Sequence, residues 1–130
     1  MRVDSFAFLP RSFRPLYEIA PTGDAEVWAP FGPRLAEARI ALLSSAGLYL
    51  EAEQEAFDLD RERREPTWGD PSHRFIADGV APESLVMCHL HVNNADVLAD
   101  PEIALPRRRL GELVADGVVG GSAPAHVSVM

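Results

Sequence analysis

Two histidines separated by one residue, His89 and His91, are the side chains of this sequence best suited to chemistry. They end an apolar run that begins at Leu85 and is followed by the polar pair Asn93–Asn94. Such a run is typical of a buried strand, and a strand covered on both faces is usually parallel to its neighbours. Residues two apart on a strand share a face. The two imidazoles are therefore expected side by side at the carboxyl end of a strand, where ligands bind in open α/β sheets.

Two kinds of chemistry fit this pair. An imidazole gains or loses a proton near neutral pH, so each histidine can act as a general acid or base. Neutral imidazoles combined with carboxylates also bind zinc or iron, and such a site would use His89, His91, Asp96 and His126. Cys88 is expected to face the other side of the strand as a small buried side chain rather than a nucleophile. Both interpretations, acid–base chemistry and metal binding, stay open. The sequence predicts a site without a cofactor, and zinc or iron is the alternative.

Composition excludes several classes of function. The chain has 130 residues, enough for one domain with one core. Its formal net charge of -8 argues against nonspecific binding to nucleic acid or to an anionic membrane surface. All 12 basic residues are arginine, so no lysine is present to form a Schiff base or a P-loop. The single cysteine excludes an internal disulfide, and the amino terminus lacks an apolar signal core, so the expected location is the cytoplasm.

The elements that must position the histidines are predicted from the apolar pattern. Residues 34–130 are expected to form an α/β domain, incomplete at its carboxyl end, with a small, mostly parallel sheet and flanking helices, similar to half of a Rossmann-like fold. Residues 1–33 are rich in proline and aromatic residues, which predicts an extended arm that packs on the domain or on a partner. Strands are expected over residues 38–43, 73–77, 85–91 and 125–130, a helix over residues 107–116, and a loop over residues 93–106.

Small residues follow the first predicted strand directly, ending in Gly47. A chain without bulky side chains at this point lets the backbone approach a ligand closely, and its N–H groups could hold an anion. A plain tight turn explains the same residues equally well. Gly47 is therefore a candidate pocket residue whose role the pattern leaves open.

Several blocks of residues, in order along the whole chain, match a known family. The most specific block is Arg63–Ser72, which reads Arg-Arg-Glu-Pro-Thr-Trp-Gly-Asp-Pro-Ser. The other matching positions are Val3–Phe6, Leu9–Tyr17, Ala38–Leu42, Ala46–Tyr49, Phe57–Asp58, His89–His91, Asp96, Pro106, Arg109–Leu110, Glu112–Val114, Gly117–Val118, Gly120, Ala123–Pro124 and His126. On these residues the chain resembles the selenoprotein B family of glycine, sarcosine, betaine and D-proline reductases, especially its short stand-alone relatives.

The resemblance implies an oxidoreductase that reductively cleaves a carbon–nitrogen bond in a small amino acid or betaine. A selenol or thiol attacks the carbon and displaces the amine, because a thiolate or selenolate is a strong nucleophile at neutral pH. In the family that nucleophile lies downstream of the part matched here. The resemblance therefore implies that the nucleophilic Cys or Sec is supplied outside this chain, by a continuation or by a partner in a homo- or hetero-oligomer.

Under the same resemblance, His89 and His91 are the catalytic side chains, one of which donates a proton to the leaving amine. Arg64 is a clamp for the substrate carboxylate, and Asp70 orients the Arg64 side chain. A structural ion pair between the two, which ties down their loop, is an equally good explanation. Gly47 and His126 are further substrate-pocket residues. The chain is then a fragment, one half of a split enzyme or an inactive relative. A metal-dependent hydrolase or metal-binding module and a noncatalytic interaction module remain the alternatives.

Overall fold

A computed structural model of the chain describes residues 29–65 and 68–130. The predicted arm over residues 1–33 lies almost entirely outside the described residues, so its packing and the boundary at residue 33 stay predictions. None of the helices in these two ranges has the length and hydrophobicity that spanning a bilayer requires.

The described part of the chain alternates short strands with short helices. The α-helices are α1 (Leu59–Arg64), α2 (Asn94–Ala99) and α3 (Arg107–Ala115), and single 3-10 turns lie at Leu35–Glu37, Pro82–Ser84 and Pro101–Ile103. The strands are β1 (Arg39–Ile40), β2 (Leu43–Ser44), β3 (Leu48–Leu50), β4 (Arg74–Ala77), β5 (Leu85–Met87), β6 (Gly121–Ser122) and β7 (Ala125–Ser128). The predicted α/β class is confirmed.

The sheets are small and their pairings are mixed. β7 is the middle strand of three, parallel to β2 on one side and antiparallel to β4 on the other. β1 pairs parallel with β6, and β3 pairs antiparallel with β5. The backbone N–H of Ala123 donates to the carbonyl of Ile40, and that of Val127 donates to Leu42, so the segment after α3 follows the first predicted strand along its length. That predicted strand is present as two short pieces, β1 and β2.

The strand that leads to the histidines differs from the prediction. β5 ends at Met87, before His89 and His91, and it is antiparallel to β3 rather than parallel to a neighbour. The prediction was wrong because a continuous apolar run shows that a segment is buried, whereas it does not show the direction of the partner strand. The last backbone hydrogen bond between the two segments runs from the Cys88 N–H to the Gly47 carbonyl, at 2.9 Å, and the chain then bends away from β3.

The segment over residues 93–106 is also more ordered than predicted, because it contains α2 and a 3-10 turn. Asn93 and Asp100 suggested a loop, but both are helix caps. The Asn93 side chain accepts from the Ala95 N–H at 3.2 Å, and the Asp100 side chain accepts from the Glu102 N–H at 3.2 Å. Asparagine and aspartate favour helix starts as strongly as they favour turns, so composition alone did not separate the two.

The core forms where β3, β4 and β5 meet α2 and the segment before α3. Its buried members are the apolar side chains Leu48, Leu50, Ile76, Leu85, Met87, Val97 and Leu105. The predicted helix over residues 107–116 is confirmed as α3, and Gly117 follows its end with φ of 70°. Both β3 and β5 alternate buried and half-buried residues. This core fixes the end of β5, and therefore the start of the segment that carries the histidines.

Candidate functional site

His89 and His91 lie in the bend between β5 and α2. Their ring centroids are 5.8 Å apart and the ring planes are nearly perpendicular, at 78°. The two imidazoles are therefore adjacent, as predicted, although a bend rather than a strand brings them together. The bend is tied to α2 by the Asn94 side chain, whose amide donates to the His89 carbonyl at 3.2 Å.

A backbone hydrogen bond orients the His89 ring. The N–H of His91 donates to Nδ1 of His89 at 3.0 Å. Since Nδ1 is then an acceptor, a neutral His89 carries its proton on Nε2. Nε2 is then the donor of the ring, and His89 is half-buried. The bond from the His91 N–H therefore fixes both the orientation and the neutral tautomer of the His89 ring.

A buried carboxylate lies against the second histidine. Nε2 of His91 is 3.3 Å from Oε1 of Glu62, which belongs to α1. The Glu62 side chain is only 8% exposed, whereas that of His91 is 68% exposed. Glu62 was not among the predicted site residues, because it is one of many charged side chains in its segment and such side chains are usually solvated. One signal was present: Glu62 follows Leu59 by three residues, which places both on the same side of a helix.

Cys88 is buried beside this pair, as predicted. Its thiol lies 3.4 Å from the carbonyl oxygen of Phe57. Burial raises the pKa of the Cys88 thiol above its usual value, and the negative charges of Glu62 and Asp70 also raise it. The thiolate is the reactive form of cysteine. Cys88 therefore stays protonated at neutral pH and packs as a small apolar side chain.

Asp70 organises its own loop rather than a neighbouring arginine. Oδ2 accepts from the Asp58 N–H at 2.9 Å, and Oδ1 accepts from the N–H and the hydroxyl of Ser72 at 2.8 and 2.5 Å. Partial burial acts to raise the pKa of Asp70, but these hydrogen bonds outweigh it and hold the pKa below its usual value.

Arg64, the other half of the predicted clamp, is exposed near the end of α1. Among the described residues, no hydrogen bond or ion pair joins Arg64 to Asp70. The long loop is instead held by Arg74, whose guanidinium donates to the carbonyls of Glu55 and Ala56 and lies 4.3 Å above the ring of Phe57. The clamp role of Arg64 stays a prediction, without the proposed partner beside it.

Gly47 sits where β3, β5 and the residues after β7 meet. Its N–H donates to the Val129 carbonyl at 2.9 Å, and its carbonyl accepts from the Cys88 N–H at 2.9 Å. The φ angle is 64°, a conformation that favours glycine. Because its N–H is already bonded within the protein, Gly47 positions the start of the histidine bend and does not offer that N–H to an anion.

His126 lies apart from the bend, in β7, and is fully buried. Its Nδ1 accepts from the Leu42 N–H at 3.1 Å, and its Nε2 lies 2.9 Å from Oδ1 of Asp78. Since Nδ1 accepts, Nε2 is the nitrogen that donates to the Asp78 carboxylate. Both ring nitrogens are therefore engaged with the protein itself, and no substrate can reach either one without displacing these partners.

The four side chains of the alternative metal site do not come together. Asp96 accepts from the Asn93 side chain at 2.8 Å at the start of α2, and His126 is paired with Asp78. Across residues 29–65 and 68–130, no group of three or more His, Cys, Asp or Glu side chains is placed to hold a metal ion.

The contact between Asp78 and His126 makes the stability of the fold depend on pH in the acid range. The hydrogen bond from His126, helped by one from the Ser122 hydroxyl and by the charge of Arg107, outweighs partial burial and lowers the pKa of Asp78. An aspartate in the unfolded chain has a pKa of about 3.9. A lower folded pKa stabilises the fold above that pH, and this contribution is lost as the pH falls through the folded pKa.

We therefore expect Asp78→Asn to reduce the loss of stability in acid. The asparagine oxygen still accepts from His126, so the variant removes mainly the charge. The difference should be less than about 1 kcal/mol, because the Asp78 side chain is 42% exposed. Urea unfolding of both proteins between about pH 6 and pH 3 measures it. Parallel loss of stability in the two proteins would contradict the assigned role of Asp78.

Comparison with known proteins finds a distant relative among the curated proteins. No family model and no solved structure matches the chain significantly. D-proline reductase subunit gamma of Acetoanaerobium sticklandii is 26% identical to it over 110 residues. The matched region is 85% of this chain but 42% of that protein, so the chain spans less than half the length of the relative. The match supports a distant relationship between this chain and a subunit of D-proline reductase.

Proposed function

We propose that the chain forms the substrate-pocket half of a reductase that cleaves a carbon–nitrogen bond in a small amino acid or betaine. The observation that carries the proposal is the match to D-proline reductase subunit gamma, which covers most of the described domain. The adjacent imidazoles of His89 and His91 agree with it, because departure of an amine needs a proton donor close to the nitrogen.

The proposed reaction needs a nucleophile and a reductant from outside the chain. A thiolate or selenolate attacks the carbon, a carbon–sulfur or carbon–selenium bond forms, and the carbon–nitrogen bond breaks. A neutral nitrogen takes a proton from an imidazolium as the bond breaks, whereas the quaternary nitrogen of betaine leaves as a neutral tertiary amine without one. A second thiol then attacks the sulfur or selenium of the adduct, and the carbon keeps the electron pair of the broken bond and takes up a proton from water. The two thiols, or thiol and selenol, are thereby oxidised to a disulfide or selenenyl sulfide.

Cys88 does not supply this nucleophile. It is buried, and its raised pKa keeps it in the thiol form. The proposal therefore requires a continuation of the chain or a partner chain with a reactive Cys or Sec. The relative is a subunit of a larger reductase, which supports a hetero-oligomer for this chain as well. Of the residues predicted to be functional, His89 and His91 are assigned to proton transfer. Gly47 holds the backbone at the start of their bend, and His126 joins β7 to the segment at Leu42, apart from the bend.

An extract from the natural host, prepared after deletion of the gene, gives a direct test. We expect the extract to lose dithiothreitol-dependent cleavage of the carbon–nitrogen bond in at least one of glycine, sarcosine, betaine and D-proline, and purified full chain to restore it. Addition of the His89→Ala protein should restore about 100-fold less activity, since a positioned proton donor typically contributes 10²–10⁴-fold. Mass spectrometry of the reduced product measures both effects; for D-proline this product is the ring-opened amino acid, which keeps the nitrogen.

His73→Ala is the matched control, because His73 is an exposed histidine whose ring packs edge-on against Phe75. It should restore activity as well as the wild-type chain does. Equal activity of the His89→Ala and wild-type proteins would contradict the role of His89. Unchanged cleavage of all four compounds after deletion of the gene would contradict the proposed function itself.

A further inference from the structure

One cleft of the described domain is lined by none of the residues predicted to be functional. Its volume is about 220 Å³, one wall is formed by Asp78, Val80 and Pro82, and the other by Glu102 and the first half of α3. Among the described residues that line it there is no histidine and no cysteine. The cleft can therefore hold a small molecule, but it lacks the groups that would cleave one.

A buried arginine, Arg107, joins the two walls of this cleft. Arg107 is only 9% exposed, and its Nη1 donates to the backbone carbonyls of Ala77 and Asp78, at 3.1 Å each. Its Nε is buried without an acceptor, and Nη2 donates to no described residue. Because Nη1 is occupied and Nε cannot be reached, Nη2 is the nitrogen that the guanidinium offers to the cleft.

The charge of Arg107 is not neutralised by an ion pair. No carboxylate among the described residues pairs with it, although buried charges in proteins are normally paired. The neighbouring Arg108 pairs instead with Glu112, at 3.6 Å. An anionic group in the cleft would supply the missing partner, because a guanidinium forms strong, charge-assisted hydrogen bonds with a carboxylate.

Two carboxylates lie beside this arginine. Oδ1 of Asp78 is 2.9 Å from Nε2 of His126, whereas Oδ2 accepts from no described residue. The Glu102 carboxylate accepts from the backbone N–H of Arg108 at 3.0 Å, at the start of α3. A simple anion in the cleft would be repelled by the two carboxylates, and a simple cation by the guanidinium. The complementary ligand is a molecule that carries both charges.

We propose that this cleft binds the zwitterion of a small apolar amino acid, with the carboxylate on Arg107 and the ammonium group between Asp78 and Glu102. Val80 and Pro82 supply an apolar surface for its side chain. Because neither a histidine nor a thiol lines the cleft, the amino acid is held there and not converted. The inference does not rest on the proposed function.

A glycine keeps this cleft open. Gly111 follows Arg107 by four residues, so the two share a face of α3, and both line the cleft. A Cβ atom at Gly111 would meet nothing within 4 Å. A larger side chain at this position therefore has room to extend over the cleft without disturbing the helix.

Valine and its two singly charged analogues test the requirement for both charges. Isobutylamine and isovalerate carry the same branched side chain, but the first has only the positive charge and the second only the negative one. The full chain is titrated near neutral pH with both enantiomers of valine and with each analogue. Calorimetry gives the dissociation constants, and the shift of the Gly111 amide resonance reports binding in the cleft. We expect one enantiomer of valine to bind at least about tenfold more tightly than either analogue.

Gly111→Gln is the decisive variant, because it fills the cleft without removing a charge. Glutamine is a better helix former than glycine, so the fold should be retained while valine binds at least about tenfold more weakly. Asp78→Asn should also weaken valine binding by about tenfold, because it removes the charge beside the ammonium group. Asp116→Asn is the matched control, because Asp116 directly follows α3 and does not line the cleft. It should leave the affinity for valine unchanged.

Each of four results would overturn the inference. These are absence of binding by both enantiomers of valine, equal affinity for valine and one of its analogues, unchanged affinity of the Gly111→Gln protein, and unchanged affinity of the Asp78→Asn protein. The assay of carbon–nitrogen bond cleavage with His89→Ala does not involve this cleft. The proposed function and the inference can therefore fail independently of each other.

Discussion

Replacement of Gly47 by alanine is expected to destabilise the fold by about 2–4 kcal/mol. A Cβ atom at this position would lie 2.1 Å from the carbonyl oxygen of Cys88, far inside van der Waals contact. The φ angle of 64° adds strain for any residue with a Cβ. Neither problem can be relieved by a side-chain rotation, because the contact is with backbone. The segment that starts at Cys88 would have to move away from β3.

Urea unfolding of the purified variant measures this effect. The matched control is Gly111→Ala, because Gly111 lies within α3 and its Cβ would meet nothing within 4 Å. Alanine in a helix interior is favoured over glycine, so this control should raise stability by about 0.5–1 kcal/mol. A Gly47→Ala protein as stable as the wild type would mean that the bend is not held against β3 as described.

The second large effect is expected at His126. His126→Ala should cost about 3–5 kcal/mol, because it leaves a cavity in the sheet and removes the partners of the Leu42 N–H and of Asp78. His126→Gln should recover part of this loss, since its amide offers one donor and one acceptor. Thermal and urea unfolding give the values.

His73→Ala serves again as the control, because that ring is exposed and should contribute within about 0.5 kcal/mol. A small effect of His126→Ala, with loss of ligand binding instead, would favour the alternative role of His126 in the substrate pocket. The two outcomes are distinguishable because one changes the unfolding free energy and the other changes only the dissociation constant.

These stability effects matter for the site because the histidine bend has no regular structure of its own. It is fixed at one end by the bond from Cys88 to Gly47 and at the other by the cap of α2 at Asn93. The contact between His91 and Glu62 joins the middle of the bend to α1. A substitution that loosens either end should weaken the contact between Glu62 and His91 before it unfolds the domain.

The sequence by itself determined the local features of this protein. Alternation and apolar runs predicted β4 and β7, and Pro106 and Gly117 correctly bounded α3. The spacing of His89 and His91 was enough to predict that the rings are neighbours, because two residues separated by a single residue remain close in a strand or in a bend. The α/β class followed from these local patterns.

Only the tertiary structure decided which distant groups meet. Glu62 is one of many charged residues in its segment, and nothing local distinguishes the one that is desolvated against His91. The same holds for His126 and Asp78, which are 48 residues apart and meet because β4 and β7 pair antiparallel. Periodicity reports whether a residue is buried, whereas strand direction and the partner of a buried charge depend on contacts between segments far apart in the chain.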